Sequence, residues 1–268
     1  MTAQIRVALA WAIGLVTVAC TAGPPAPTPP VPPPPATSIA TPTAPTVTTP
    51  PTSASPSLPA SLAGACWSSL PTERPVVALT FDAGGNDAGV ASILSTLRRE
   101  GVRATFFVTG RWAEVYPEAT RTIASRYPVG NHTQTHADLT MLRATEVVDE
   151  VRGAERSLAR VAGIDPRPLF RFPYGATSVR AIDAIHALGY GCIGWSLDTL
   201  GWKGTSESVS AASIVRAVDA GLRPGMIVLM HVGANPDDGS TLDADALPRV
   251  IRTVRAHGYG FVTLAEAL

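Results

Sequence analysis

The chain has 268 residues, and its 21 lysines and arginines balance its 21 aspartates and glutamates, so the formal net charge is zero. The cations are nearly all arginines scattered along the sequence. This gives no basic stripe of the kind a nucleic-acid backbone requires and excludes nucleic acid as a partner. After a long uncharged lead, the length leaves room for one large domain of roughly 200 residues, ample for a buried core.

Residues 1–20 read as a lipoprotein-type signal peptide. Arg6 supplies the positive flank, and the apolar run 7–19 that follows has 13 residues. As a helix that run would cover only ~20 Å of a ~30 Å hydrocarbon core, too short to span it. The run stops at Val18-Ala19-Cys20, a small residue before a cysteine. This is the pattern of a bacterial lipobox, in which Cys20 would be lipidated and become the mature N-terminus. The alternative is an ordinary signal peptide with Cys20 incidental. The expectation is an exported protein held at the cell membrane through an N-terminal lipid and facing the outside or the periplasm.

Residues 21–63 are mostly Pro, Thr, Ala and Ser with no charged side chain. Such a segment cannot bury a core and favours extended polyproline-type backbone, at ~3.1 Å per residue a tether with a reach on the order of 100 Å. Residues 64–268 then form the folded domain. Besides Cys20 the chain has Cys66 and Cys192. In an oxidising compartment this even pair is a candidate disulfide, with two buried free thiols as the alternative.

Within the domain, apolar and β-branched runs at 76–81, 104–108, 129–131, 169–172, 190–197, 226–231 and 260–264 read as strands. Helical patterns separate them at 88–99, 117–125, 144–162, 179–188, 211–220 and 246–256. The alternation predicts an α/β fold with a parallel sheet. Its form is a distorted, incomplete (β/α) barrel of about seven parallel strands with outer helices. No glycine fingerprint follows a strand, so no nucleotide cofactor is expected.

Five polar clusters follow these strands: Leu79-Thr80-Phe81-Asp82-Ala83-Gly84, Asn131-His132-Thr133-Gln134-Thr135-His136, Arg171-Phe172-Pro173-Tyr174, Asp198-Thr199-Leu200-Gly201-Trp202 and Leu229-Met230-His231. Asp, His and Arg collected at strand ends mark the catalytic rim of an α/β barrel. Asp82 would stand at the rim in a partly desolvated setting suited to a general base, or would simply cap a turn. His132 and His136, separated by three residues, would face the same way on a helical turn and could share one divalent ion, or would be loop histidines. An imidazole at His231, ending an apolar strand, is costly without a partner or a task.

In order and content these clusters resemble the polysaccharide deacetylases, the NodB-homology group of carbohydrate esterase family 4, over residues 76 to about 264. The resemblance implies removal of N-acetyl groups from an acetylated polysaccharide of the cell envelope, peptidoglycan amino sugars first among them. It implies a divalent metal ion, zinc by preference, on His132 and His136. It gives Asp82 the part of base toward the attacking water and His231 that of acid toward the leaving amine. Arg171 would orient Asp82, and the Tyr174 backbone amide, after Pro173, would help hold the oxyanion. Leu229 would line the acetyl pocket, Trp202 would wall the sugar groove, and Asp198 belongs to the same substrate-facing set.

The chain departs from the family pattern twice. Ala83 stands where a second carboxylate belongs, so Asp87 becomes a candidate third ligand if the chain swings back across Gly84-Gly85, although a helix cap suits Asp87 as well. Gly201 stands where an Asp normally tunes the catalytic histidine, which leaves either Asp198 as its substitute or a histidine with less support. Two rivals follow, a glycan-binding lipoprotein that has lost catalysis and an O-acetyl esterase of the same fold.

Overall fold

The computed structural model describes residues 58–64 and 66–268. The signal peptide, Cys20 and the linker up to residue 57 lie outside the described residues. The last residues of the expected linker belong to the domain, because Leu62 is fully buried and Leu58 packs beside it.

The strands are β1 (Val76–Ala83), β2 (Thr105–Val108), β3 (Val129–Asn131), β4 (Leu169–Phe170), β5 (Gly191–Cys192), β6 (Leu197–Asp198), β7 (Met226–His231) and β8 (Gly260–Phe261). All pairings are parallel, in the order β5-β4-β3-β2-β1-β7-β6, with β8 joined to the start of β1. The sheet thus has eight strands where the sequence predicts about seven, because the run 190–197 divides. Its first part pairs with β4 at one edge and its second with β7 at the other. Only residues 193–196 lie between, a path of at most ~18 Å from Cys192 to Leu197. The two edges must therefore curl toward each other, which makes the sheet an incomplete barrel, as the sequence predicts.

Side chains alternate across each strand. On β1, Ala78 joins Phe107, Leu169, Ile193 and Ile227 in a small interior cluster. Val77, Leu79, Phe81 and Ala83 join a much larger cluster with the surrounding helices. The inward set of β1 continues from Ala78 to Thr80 and Asp82, and that of β7 from Ile227 to Leu229 and His231. Polar groups therefore occupy one end of the barrel and apolar groups the other.

The outer helices are α1 (Val90–Glu100), α2 (Gly110–Val115), α3 (Pro117–Ala124), α4 (Ala144–Ala162), α5 (Val179–Ala187), α6 (Ala211–Gly221) and α7 (Leu242–Ala256). Their ends follow local chemistry. Pro117 opens α3, the Glu146 carboxylate accepts the Arg143 N–H at the start of α4, and left-handed Gly101 and Gly163 stop α1 and α4. Two helices depart from the expected pattern. The short α2, capped by Thr109, carries no periodic signal of its own. Helix α7 begins at Leu242 rather than 246, running through Pro248.

Cys66 and Cys192 are disulfide-bonded, with their Cα atoms 4.4 Å apart. The bond fixes the arm that enters the domain to β5, beside the Trp67–Ile193 bridge.

Candidate active site

At the C-terminal end of β1, Asp82 points into the barrel and is almost wholly buried. Burial alone would push its carboxyl up, but the Arg171 guanidinium, helped by His132 and His231, outweighs it and holds Asp82 below the usual carboxylate range. Arg171, fully buried after β4, donates from Nη1 to Asp82 Oδ1 at 2.8 Å and to Thr80 Oγ1 at 2.9 Å. Its other donors reach the Gly194 carbonyl at 3.0 Å and the Ile193 carbonyl at 3.3 Å, and its guanidinium lies 4.2 Å from the Phe107 ring centre. Because Arg171 is packed below by an aromatic face and tied on its flanks to two carbonyls, it can orient Asp82 rather than merely neutralise it. Thr80 lies two residues before Asp82 and so on the same face of the strand.

His132 follows β3, fully buried, with Nδ1 2.9 Å from the Arg171 carbonyl and Nε2 3.4 Å from Asp82 Oδ2. The carbonyl can only accept, so Nδ1 carries the hydrogen and Nε2 is left with its lone pair. His136 is brought to it by a loop, not by the helical turn expected from the spacing. Thr133 and His136 adopt left-handed backbone (φ 68° and 67°), and the two rings meet edge to face at 4.8 Å. Such backbone in non-glycine residues is held only by its surroundings and is typical of functional sites. Burial keeps both imidazoles neutral, lowering His132 and, with the help of His132, bringing His136 to about 4.

His231 ends β7, and the register pairs it directly with Asp82 on the neighbouring strand β1. Burial would favour its neutral form, but the carboxylates of Asp243, Asp82 and Asp198 together raise it above the ordinary histidine value. Its backbone N–H donates to Asp243 Oδ2 at 2.8 Å, and its Nδ1, buried and without a hydrogen-bond partner, lies 3.8 Å from the same oxygen. No motif in the sequence marks Asp243. Asp198 is engaged elsewhere, its Oδ1 accepting the Leu200 N–H at 2.8 Å.

The remaining candidates surround this centre. Pro173 opens a turn in which Tyr174 is left-handed (φ 60°), and the exposed Tyr174 ring packs edge-on against His136 at 4.7 Å. Trp202 is half exposed with its ring 6.5 Å from that of His231. Leu229 is buried on the inward face of β7, opposite Thr80 and Asp198. Asp87 is not gathered with the two histidines, since no group of three or more His, Cys, Asp or Glu among the described residues is placed to hold one ion.

The polysaccharide deacetylase family profile matches residues 69–193. A chitooligosaccharide deacetylase of Sinorhizobium fredii is 34% identical over 196 residues, 70% of this chain and 89% of that protein. The chain belongs to the polysaccharide deacetylase family. A solved peptidoglycan N-acetylglucosamine deacetylase of that family has a TM-score of 0.68 and 31% identity, covering 75% of this chain and 91% of its own. A family 4 pseudoenzyme from Bacillus anthracis superposes with a TM-score of 0.65 at 26% identity, covering 72% of this chain and 65% of its own.

Deacetylases of this group are generally metal-dependent, and the histidine pair has the right chemistry for an ion. Both rings are neutral, and the backbone carbonyl behind His132 Nδ1 fixes the tautomer a ligand needs. The position of the family's carboxylate is taken by the Ala83 methyl, fully buried in the outer apolar cluster. The residues fit a divalent ion held by two imidazoles, with its other positions open to water or substrate.

Proposed function

We propose that this deacetylase removes N-acetyl groups from amino sugars of a cell-envelope polysaccharide, peptidoglycan foremost, as an exported lipoprotein anchored through Cys20. The observation that carries the reading is the pairing of Asp82 with His231 across adjacent strands, one carboxyl held below its usual range and one imidazole above. An acid–base pair tuned apart in this way is what amide hydrolysis near neutral pH requires.

A divalent ion on His132 and His136, zinc by preference, would polarise the acetamide carbonyl. Asp82, oriented by Arg171 and Thr80, takes the proton of the attacking water. The Tyr174 backbone amide supports the oxyanion, and Leu229 receives the acetyl methyl. His231 delivers its proton to the sugar nitrogen as the C–N bond breaks, releasing acetate and a free amine. Trp202, half exposed beside His231, supplies a face for the sugar ring.

A second reading, a glycan binder without turnover, is favoured by Ala83 and by the lack of a three-residue ligand set among the described residues. Acetate release from peptidoglycan, chitooligosaccharides and acetylated xylan, measured beside the Asp82→Asn variant, decides among the readings. Release from the amino-sugar polymers that falls about 10²-fold or more in the variant supports the proposal. Release from xylan alone makes the protein an ester hydrolase, and binding without release makes it a lectin-like module.

A further inference from the structure

We infer that Asp243, from the first turn of α7, is the carboxylate that positions and supports His231, taking over the place left by Gly201. The inference rests on the deacetylase reading for its kinetic consequence and on geometry for its substance. A Cβ built on Gly201 would lie 2.5 Å from the Asp243 carboxyl carbon and 2.6 and 2.7 Å from its oxygens. The space that a side chain at 201 would need is therefore already filled, by a carboxylate arriving from a different element. Both of its oxygens are engaged. Oδ2 accepts the His231 N–H at 2.8 Å, and Oδ1 lies 2.7 Å from the Thr199 hydroxyl, whose oxygen is also 3.0 Å from the Leu229 carbonyl.

Asp243 is buried, and its place in the first turn of a helix sets the carboxylate at the positive end of the peptide dipoles. His231 Nδ1 is a buried, unpartnered nitrogen 3.8 Å from Oδ2, so an approach of less than an ångström completes the pair. The other titratable groups near His231 are Asp82 on β1, Asp198 on β6, and His132 and His136 after β3. Asp198 is held by the Leu200 N–H and Asp82 by Arg171, which leaves Asp243 as the carboxylate engaged at His231. Glycine at 201 and aspartate at 243 are thus one coupled feature, since either a side chain at 201 or this carboxylate can occupy the site, but not both.

Three variants test the coupling: Asp243→Asn, Gly201→Asp, and the double variant Gly201→Asp/Asp243→Ala. In Asp243→Asn we expect kcat to fall about tenfold or more with KM little changed. The alkaline limb of the pH profile should move down by about one unit, the shift an opposite charge at this range produces. Gly201→Asp alone should lower both Tm and turnover, because two carboxylates then compete for one space. The double variant should recover both and return the alkaline limb toward its original position. A double variant no better than Gly201→Asp, or an Asp243→Asn profile with an unmoved alkaline limb, overturns the proposal.

Should the wild type release no acetate from any substrate, the deacetylase reading fails by itself. The inference is then read from Tm and from an NMR titration of the His231 ring. A ring that titrates at the same pH in wild type and Asp243→Asn overturns it, and a downward shift sustains it.

Discussion

Replacing Arg171 with methionine would keep the apolar stem of the side chain and remove its charged guanidinium from a place with no access to water. Four hydrogen bonds go with it, to Asp82, Thr80 and the carbonyls of Ile193 and Gly194, and Asp82 is left buried with only the imidazoles of His132 and His231 nearby. Breaking a buried pair from one side costs about 3–5 kcal/mol. In a domain of this size that lowers Tm by about 6–20 °C.

The sign of the pH effect follows from the direction of the Asp82 shift. Its folded pKa is depressed chiefly by Arg171 against the opposing effect of burial, so its ionisation stabilises the wild type above the unfolded value of ~3.9 and ceases to do so as pH falls through the folded value. In Arg171→Met that contribution disappears, and the stability gap should be widest near neutrality and narrow in acid. Thermal melts by circular dichroism across pH 3–8 measure the gap. In the acetate assay the acid limb of kcat/KM should move toward neutral pH, because an unassisted buried carboxyl holds its proton longer. A variant melting within about 2 °C of wild type with an unmoved acid limb would refute the role given to Arg171.

Mild chelation should abolish turnover and added divalent ion restore it, and a deacetylase rate retained by protein shown metal-free by elemental analysis rules out the ion. Ala83→Asp should bind the ion more tightly but melt lower than wild type when metal-free, since it puts a carboxylate in an apolar cluster, whereas Asp87→Ala should leave affinity nearly unchanged. Replacing Cys66 and Cys192 by serine should cost about 2–5 kcal/mol in denaturant unfolding, as the bond closes a loop of 126 residues, and an unchanged midpoint would show that it contributes nothing. Cys20→Ser should move the protein from the membrane to the soluble fraction, and retention in the membrane speaks against the lipid anchor.

Much of this molecule is legible in the chain alone. Strand and helix periods give the α/β alternation, and the polar residues that close each apolar run, Asp82, His132, Arg171 and His231, do converge at one end of the barrel. They converge because parallel strands set their C-terminal ends side by side, so that clusters far apart in sequence become neighbours in space. Thr80 shares the face of Asp82 by the period of two, but its part in holding Arg171 appears only in the structure.

What the chain does not carry is contact between elements of different phase. The run 190–197 has a single apolar signature, yet curling of the sheet splits it between two edges. The histidine pair looks helical by spacing, yet packing against Asp82 and Tyr174 imposes two left-handed residues in the loop. Asp243 resembles any acidic residue near a helix start, and it falls before the helix expected from residue 246. Its role exists only because α7 docks its first turn over Gly201 and His231, and a void at one position matched by a side chain at another is a property of volume, which a linear pattern of polarity does not record.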